Sequence, residues 1–169
     1  MLLNESQLWV NKFDQINKII LHLYNDEAKT SVYEEFLKEL QEIIYFDLGN
    51  ILFFWKTPNG YELDSLFEIG WDTKTKQSYI SRFYKEDDVF PVFAKESSII
   101  IRGSEIFDQS RTMTMSNFYR QFFKENSFSD YSLECNIPLP KQLNRYGICS
   151  LFRKTSKLDF NRSEERRVG

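Results

Sequence analysis

Between residues 4 and 24, Phe13, Ile16, Ile20 and Leu23 recur at steps of three and four, with Asn11, Asn17, Lys18 and His22 between them. That spacing predicts an amphipathic helix. Asn25, Asp26 and Glu27 interrupt it, and Ser31 then precedes Glu34 by three positions, the spacing at which each side chain accepts a hydrogen bond from the other's backbone amide. A second helix is expected from there to about residue 45, with Val32, Phe36, Leu40 and Ile43 or Ile44 as its apolar stripe. Two helices joined by so short a polar turn are expected to lie antiparallel.

From Asp47 the period changes. Leu48 to Trp55 is a largely apolar run closed by Thr57-Pro58-Asn59-Gly60, and Tyr61, Leu63, Ser65, Phe67 and Ile69 then alternate with Glu62, Asp64 and Glu68. A run of apolar residues, a Pro-Asn-Gly turn and a second run of period two predict a β-hairpin. Asp72 is placed to cap a helix carrying Tyr79 and Phe83, and the proline of Val89-Phe90-Pro91 permits only a short helical turn there. Asp87 and Asp88 read as the cap of that turn. Ser98 to Arg102 predicts a short buried strand around Ile99, Ile100 and Ile101.

Ser116 starts a further helix with Phe118, Tyr119, Phe122 and Phe123, which Asn126 is expected to close in a left-handed conformation. Tyr131, Leu133, Cys135 and Ile137 alternate with Ser132, Glu134 and Asn136, predicting a strand with one wet face. Pro138 to Asn144 is the turn into a closing strand, Tyr146 to Phe152, and Asp159 opens a last helix. The order is helix, helix, hairpin, helix, strand, helix, hairpin, helix, with no repeat or linker. It predicts an α+β fold with a central antiparallel sheet flanked by helices. Residues 1–161 are expected to form one domain, and 162–169, charged and without apolar spacing, a non-native or truncated tail.

Composition narrows the function. The chain's 169 residues suit one domain of ordinary size. With 22 basic and 25 acidic residues the net charge is -3, which lacks the basic footprint of a duplex-binding domain. The two cysteines, Cys135 and Cys149, are too few for a disulfide scaffold, and no apolar run spans a membrane; a reduced, cytoplasmic protein is expected. Aromatic residues reach 17%, and the demand of a core this size absorbs most of them. The rings of the middle segments either pack solidly or roof a cavity over the sheet, where a few polar anchors would orient a small ligand. In the second case Tyr79, Phe83, Tyr119 and Phe122 are the expected ligand-binding residues.

Catalytic candidates are sparse. His22 is the only histidine, so a Ser-His or Cys-His dyad would have to use it, and its place on the polar stripe of the first helix argues against that. Gly49, Gly60 and Gly70 stand apart, with no phosphate-binding fingerprint. No metal site and no cofactor are expected. Cys135 and Cys149 lie on strands joined by a tight connection and are expected to be small apolar fillers, with redox sensing as the alternative.

Four stretches together resemble a known family: Tyr84-Lys85-Glu86-Asp87-Asp88-Val89-Phe90-Pro91, Ser116-Asn117-Phe118-Tyr119-Arg120-Gln121-Phe122-Phe123, Gly147-Ile148-Cys149-Ser150-Leu151-Phe152-Arg153, and Asp159-Phe160 with Glu164-Glu165-Arg166. In this order they resemble the GAF-type sensor domain at the N-terminus of LuxR-type helix-turn-helix transcription regulators. The resemblance implies a GAF-like sheet with a lidded pocket and transcriptional control by coupling between sensor and DNA reader; a module that binds a small ligand or mediates dimerisation, without catalysis, is expected, and the first-helix stripe of Leu8, Phe13 and Ile20 is placed to pack against a second copy in a homodimer. The sequence departs from the family in stopping at Gly169 before any helix-turn-helix, so DNA contact is expected only through a domain absent from this chain. Two alternatives stand beside this: a cysteine-dependent enzyme resembling methionine sulfoxide reductases on the same fold, using Cys135 or Cys149, and an inactive remnant of a regulator.

Overall fold

A computed structural model describes residues 31–88, 90, 100–105, 116–126, 128, 131–137, 139 and 144–153. The expected helices at residues 4–24 and after Asp159, the terminal tail and His22 lie outside the described residues. The chain divides into two compact units, Met1–Tyr45 and Phe46–Gly169.

In the first unit, helix α1 spans Ser31–Ile43. Leu37, Leu40 and Ile44 are its most buried side chains and follow one another at steps of three and four, whereas Val32 and Phe36 are only half-buried. The buried stripe therefore runs through Leu37 rather than Phe36.

The second unit is built on a five-stranded sheet. Strands β1 (Leu48–Thr57) and β2 (Gly60–Ile69) form the expected hairpin, turning on Pro58 and Asn59 with Gly60 at φ +126°. β3 (Ile100–Arg102), β4 (Ser132–Ile137) and β5 (Arg145–Phe152) complete the order β2-β1-β5-β4-β3, and each neighbouring pair is antiparallel. The architecture is α+β and GAF-like. Among the described residues β3 is a half-buried edge strand, rather than the buried one expected, and β4 is its neighbour.

One irregularity corrects the hairpin. Phe53 pairs with Ser65 but Phe54 pairs with Leu63, so Asp64 is an extra residue on β2. A bulge of this kind re-aims the side chains beyond it. Tyr61 and Leu63 consequently share a face with Leu66 and Glu68, while Phe67 and Ile69 go to the other face; the unbroken alternation expected from Tyr61 to Ile69 does not hold. Asp64 itself accepts the Trp55 Nε1–H (2.9 Å) and pairs with Arg145.

Past β2 the chain turns at Gly70, which has φ +82°; a Cβ there would lie 2.5 Å from the Asp47 carbonyl oxygen. Helix α2 (Thr73–Ser81) begins at Asp72, whose carboxylate accepts the Thr75 amide at 2.7 Å. This hydrogen bond to the charged form holds the Asp72 carboxyl below its usual range. The helix stops before Phe83, which belongs to a separate 3-10 turn, Phe83–Lys85. The segment expected to be an ordinary helix after Ser116 is a π-helix, Phe118–Phe123. Ser116 Oγ accepts the Tyr119 amide (3.1 Å), as a capping serine should. Asn126 is not left-handed, because its amide and its side-chain Nδ2 both donate to the Phe122 carbonyl, at 3.1 and 2.7 Å. Its Oδ1 accepts the Thr75 hydroxyl (2.8 Å), tying the end of the π-helix to α2.

Candidate functional site

One face of the sheet carries Leu48, Leu52 and Phe54 of β1 with Ile148 and Phe152 of β5. Over them lie Tyr79 of α2, Phe83, Phe90, the four aromatic residues of the π-helix, and Phe128, all buried. The rings meet edge-on and stacked: Phe118 and Phe122 have centroids 5.4 Å apart, Phe122 and Phe128 5.6 Å, and Trp71 stands edge-on to Tyr79 at 5.7 Å. Both arrangements suit the ring quadrupole.

Between sheet and roof is a cavity of about 30 Å³. Asn50, Leu52, Glu134, Ile148, Ser150 and Phe152 line its floor; Trp71, Tyr79, Asp87, Phe90, Phe118, Phe122, Phe123 and Phe128 line the rest. That volume accepts a water molecule or a small head group and is well below the roughly 150 Å³ that holds a benzene ring.

The polar floor follows from strand register. Asn50 pairs with Ser150, and Ser150 with Glu134, so three adjacent strands place three polar side chains in one row on the cavity face. All are buried: Asn50 is 3% exposed, Ser150 4% and Glu134 3%. Ser132 is on this face as well, at 0%. The face of β4 expected to be wet is thus covered, because the aromatic segments close over it. Among the described residues, Asn50 Oδ1, Trp71 Nε1 and Glu134 Oε2 have no hydrogen-bond partner, and all three residues line the cavity. A buried polar atom left unpaired costs about 1–3 kcal/mol, and a water molecule or a small polar group, either of which this volume admits, would pair with them.

Charge is tuned there too. Burial pushes the Glu134 carboxyl up to about 7, the Ser150 hydroxyl pulls it back in part, and the Asp87 carboxylate adds to the rise. Tyr79 is pushed well above the usual phenol range, first by burial and then by Asp87. It therefore stays protonated and donates to Asp87 Oδ2 at 2.7 Å, while Asp87 Oδ1 accepts the Phe90 amide at 3.2 Å. Asp87 caps that turn as expected and also fastens it to α2.

Of the four expected ligand-binding residues, Tyr79 and Phe122 line the cavity. Phe83 packs behind Phe122 (5.1 Å between centroids), and Tyr119 stacks on Phe123 (5.5 Å) with Lys124 Nζ 5.0 Å from its ring. Neither of these two reaches the cavity lining. Asn50, Trp71, Glu134 and Ser150 also line it and are not among the four expected residues. The one available signal was Asn50, a polar residue inside an apolar strand run; Glu134 is indistinguishable in sequence from an outward-facing glutamate.

Cys135 and Cys149 face each other across β4 and β5, on the side of the sheet away from the cavity. Cys149 is buried, and its contact with Cys135 followed by burial pushes its thiol well above the usual range. That is the reverse of the stabilised thiolate a reductase nucleophile needs. Among the described residues, no group of three or more His, Cys, Asp or Glu side chains is arranged to hold a metal ion, and no helix is long and apolar enough to cross a membrane.

No protein-family model matches the sequence, and no curated protein matches it. Solved structures do. The ligand-binding domain of VqsR from Pseudomonas aeruginosa is similar with a TM-score of 0.61 at 15% identity, over 95% of this chain and 87% of that one. CepR2 from Burkholderia cenocepacia, an N-acylhomoserine lactone dependent LuxR-family transcription factor, gives 0.61 at 8% identity, over 94% and 87%. SdiA from Escherichia coli gives 0.60 at 13% identity over 92% of this chain, which spans 61% of SdiA's length; SdiA has also been solved in complex with octanoyl-rac-glycerol. The shared property is the fold, at TM-scores of 0.60–0.61 and identities of 15% or less.

Proposed function

We propose that this chain is a ligand-binding sensory module of a transcription regulator, working without catalysis. The observation that carries this reading is the set of unpartnered atoms, Asn50 Oδ1, Trp71 Nε1 and Glu134 Oε2, around an otherwise aromatic cavity. Apolar walls with a few convergent polar groups are the usual form of a small-molecule site. The proteins of like fold support it, one being lactone-dependent by name and another solved with an acylglycerol.

The switch would act through the roof. Tyr79, Phe118 and Phe122 touch the cavity from α2 and the π-helix, and these elements are joined by the Thr75–Asn126 hydrogen bond and by Arg82 Nη2 donating to Gln121 Oε1 at 3.0 Å. A ligand that fits one spacing of roof and floor better than another shifts the population by its difference in affinity. Pairing of two copies, and DNA contact through a separate domain, belong to the same proposal.

Thermal unfolding of the full chain tests it, with N-acylhomoserine lactones and 1-octanoylglycerol as first probes. A ligand at 100 times its Kd stabilises by about 2.7 kcal/mol. The expected result is a saturable rise in melting temperature that Phe122→Trp, which fills the cavity, abolishes. A panel of small apolar and amphiphilic compounds that leaves the melting temperature unchanged throughout would overturn the proposal.

A further inference from the structure

The floor of the cavity is acidic. Its lining contains two carboxylates, Glu134 and Asp87, and no Lys, Arg or His among the described residues. Asp87 is engaged by Tyr79 and the Phe90 amide, but Glu134, 3% exposed, has no partner for its Oε2 among the described residues. Beside it in the same row are further acceptors, Asn50 Oδ1, which is also unpartnered, and the Ser150 hydroxyl. An ammonium group has three N–H donors and no acceptor, which matches this set of oxygens. The rings of Phe118, Phe122 and Trp71 line the same space, and aromatic faces attract a desolvated cation.

Resting on the sensory reading above, we propose that this row is a subsite for a protonated primary amine, with Glu134 as its counter-ion and Asn50 and Ser150 as its remaining acceptors. The sensed ligand then carries a small ammonium head, with Trp71 Nε1–H left for an acceptor atom elsewhere on it. A cavity of about 30 Å³ fits a head group of this size and not a bulky one. An anion is rejected by two carboxylates at close range. A neutral alcohol leaves Glu134 without its charge partner.

Protonation gives the subsite a testable pH dependence. With its carboxyl near pH 7 when empty, Glu134 is largely neutral at pH 6 and charged at pH 8, while an alkylamine stays protonated throughout. Among the described residues the titratable groups facing it are Asp87 and Tyr79, with Cys149 on the other face of the neighbouring strand, and neither Tyr79 nor Cys149, both pushed well up, ionises in this range. Glu68, one strand beyond Asn50 in the row, is paired with Lys76 at 3.2 Å.

The experiment uses the full chain with n-butylamine, 1-butanol and butyrate, measured by calorimetry and thermal shift at pH 6 and pH 8, for the natural sequence and for Glu134→Gln. The expected result is saturable binding of butylamine, tighter at pH 8 by on the order of tenfold, weakened by on the order of tenfold or more in Glu134→Gln, with its pH dependence gone. Asn50→Leu should weaken the amine while leaving the pH dependence. Equal binding of butanol, tighter amine binding at pH 6, or an unchanged affinity in Glu134→Gln would each overturn the amine subsite. In those cases a response to a neutral acylated compound would keep the sensory reading, and silence across all compounds would remove both.

Discussion

The Tyr79 hydroxyl donates to Asp87 Oδ2 at 2.7 Å, joining a buried helix residue to the turn that carries Phe90 over the sheet. Phe90 in turn lies against Phe54, with centroids 3.8 Å apart, so the hydrogen bonds of Asp87 to Tyr79 and to the Phe90 amide link α2 to one wall of the cavity.

Tyr79→Phe keeps the ring and removes the donor. Hydrogen bonds to charged groups are worth about 1.5–3 kcal/mol, and a loss of stability in that range is expected. A double-mutant cycle with Asp87→Asn, read by urea unfolding, should give a coupling of about 0.5–3 kcal/mol. Strict additivity would show that the two side chains do not act together.

Glu134 should make the chain less stable as pH rises. Its folded value, about 7, exceeds the ordinary carboxylate value of 4.5, so between these the native state binds more protons than the unfolded one. Stability then falls with increasing pH from about 4.5 to 7 and levels above, with a total near ~3 kcal/mol. Glu134→Gln should flatten this slope and be more stable than the natural sequence at pH 8. Parallel pH profiles for the two proteins would contradict the burial of an ionising group here.

Cys135 and Cys149 are directly opposite in antiparallel strands, which places their Cα atoms about 4.5–5.5 Å apart, inside the disulfide range. Diamide should oxidise them to an intramolecular disulfide, the two thiols giving up two protons and two electrons to the azo group, which becomes the hydrazine. Intact-mass measurement should show the loss of two hydrogens, reversed by dithiothreitol and absent in Cys135→Ser. Persistence of two free thiols under native conditions would refute the pairing.

Gly70→Ala is expected to destabilise by about 2 kcal/mol or more, because it combines a positive φ with a methyl group driven towards the Asp47 carbonyl. Gly60→Ala separates the two effects, since Gly60 shares the positive φ with nothing within 4 Å of its Cβ position. Denaturant midpoints for both should show the larger loss at Gly70.

Local chemistry alone determined much of the second unit. The turn residues Pro58 and Asn59, the cap Asp72 and the alternation of β4 act within a few residues; the hairpin and β4 are present with ends shifted by two residues or fewer, and a helix starts after Asp72 as expected, though it ends before Phe83. What tertiary structure decided is which face of each strand is buried and beside what. Period two says that Ser132 and Glu134 share a side; it cannot say that a π-helix and Phe128 close over that side, nor that the Asp64 bulge puts Tyr61 and Leu63 on the face opposite Phe67 and Ile69. The row Asn50–Ser150–Glu134 joins residues up to 100 positions apart by strand register alone. Such a site is a property of pairing between distant segments, because hydrogen-bonded register, not local preference, brings its three side chains together.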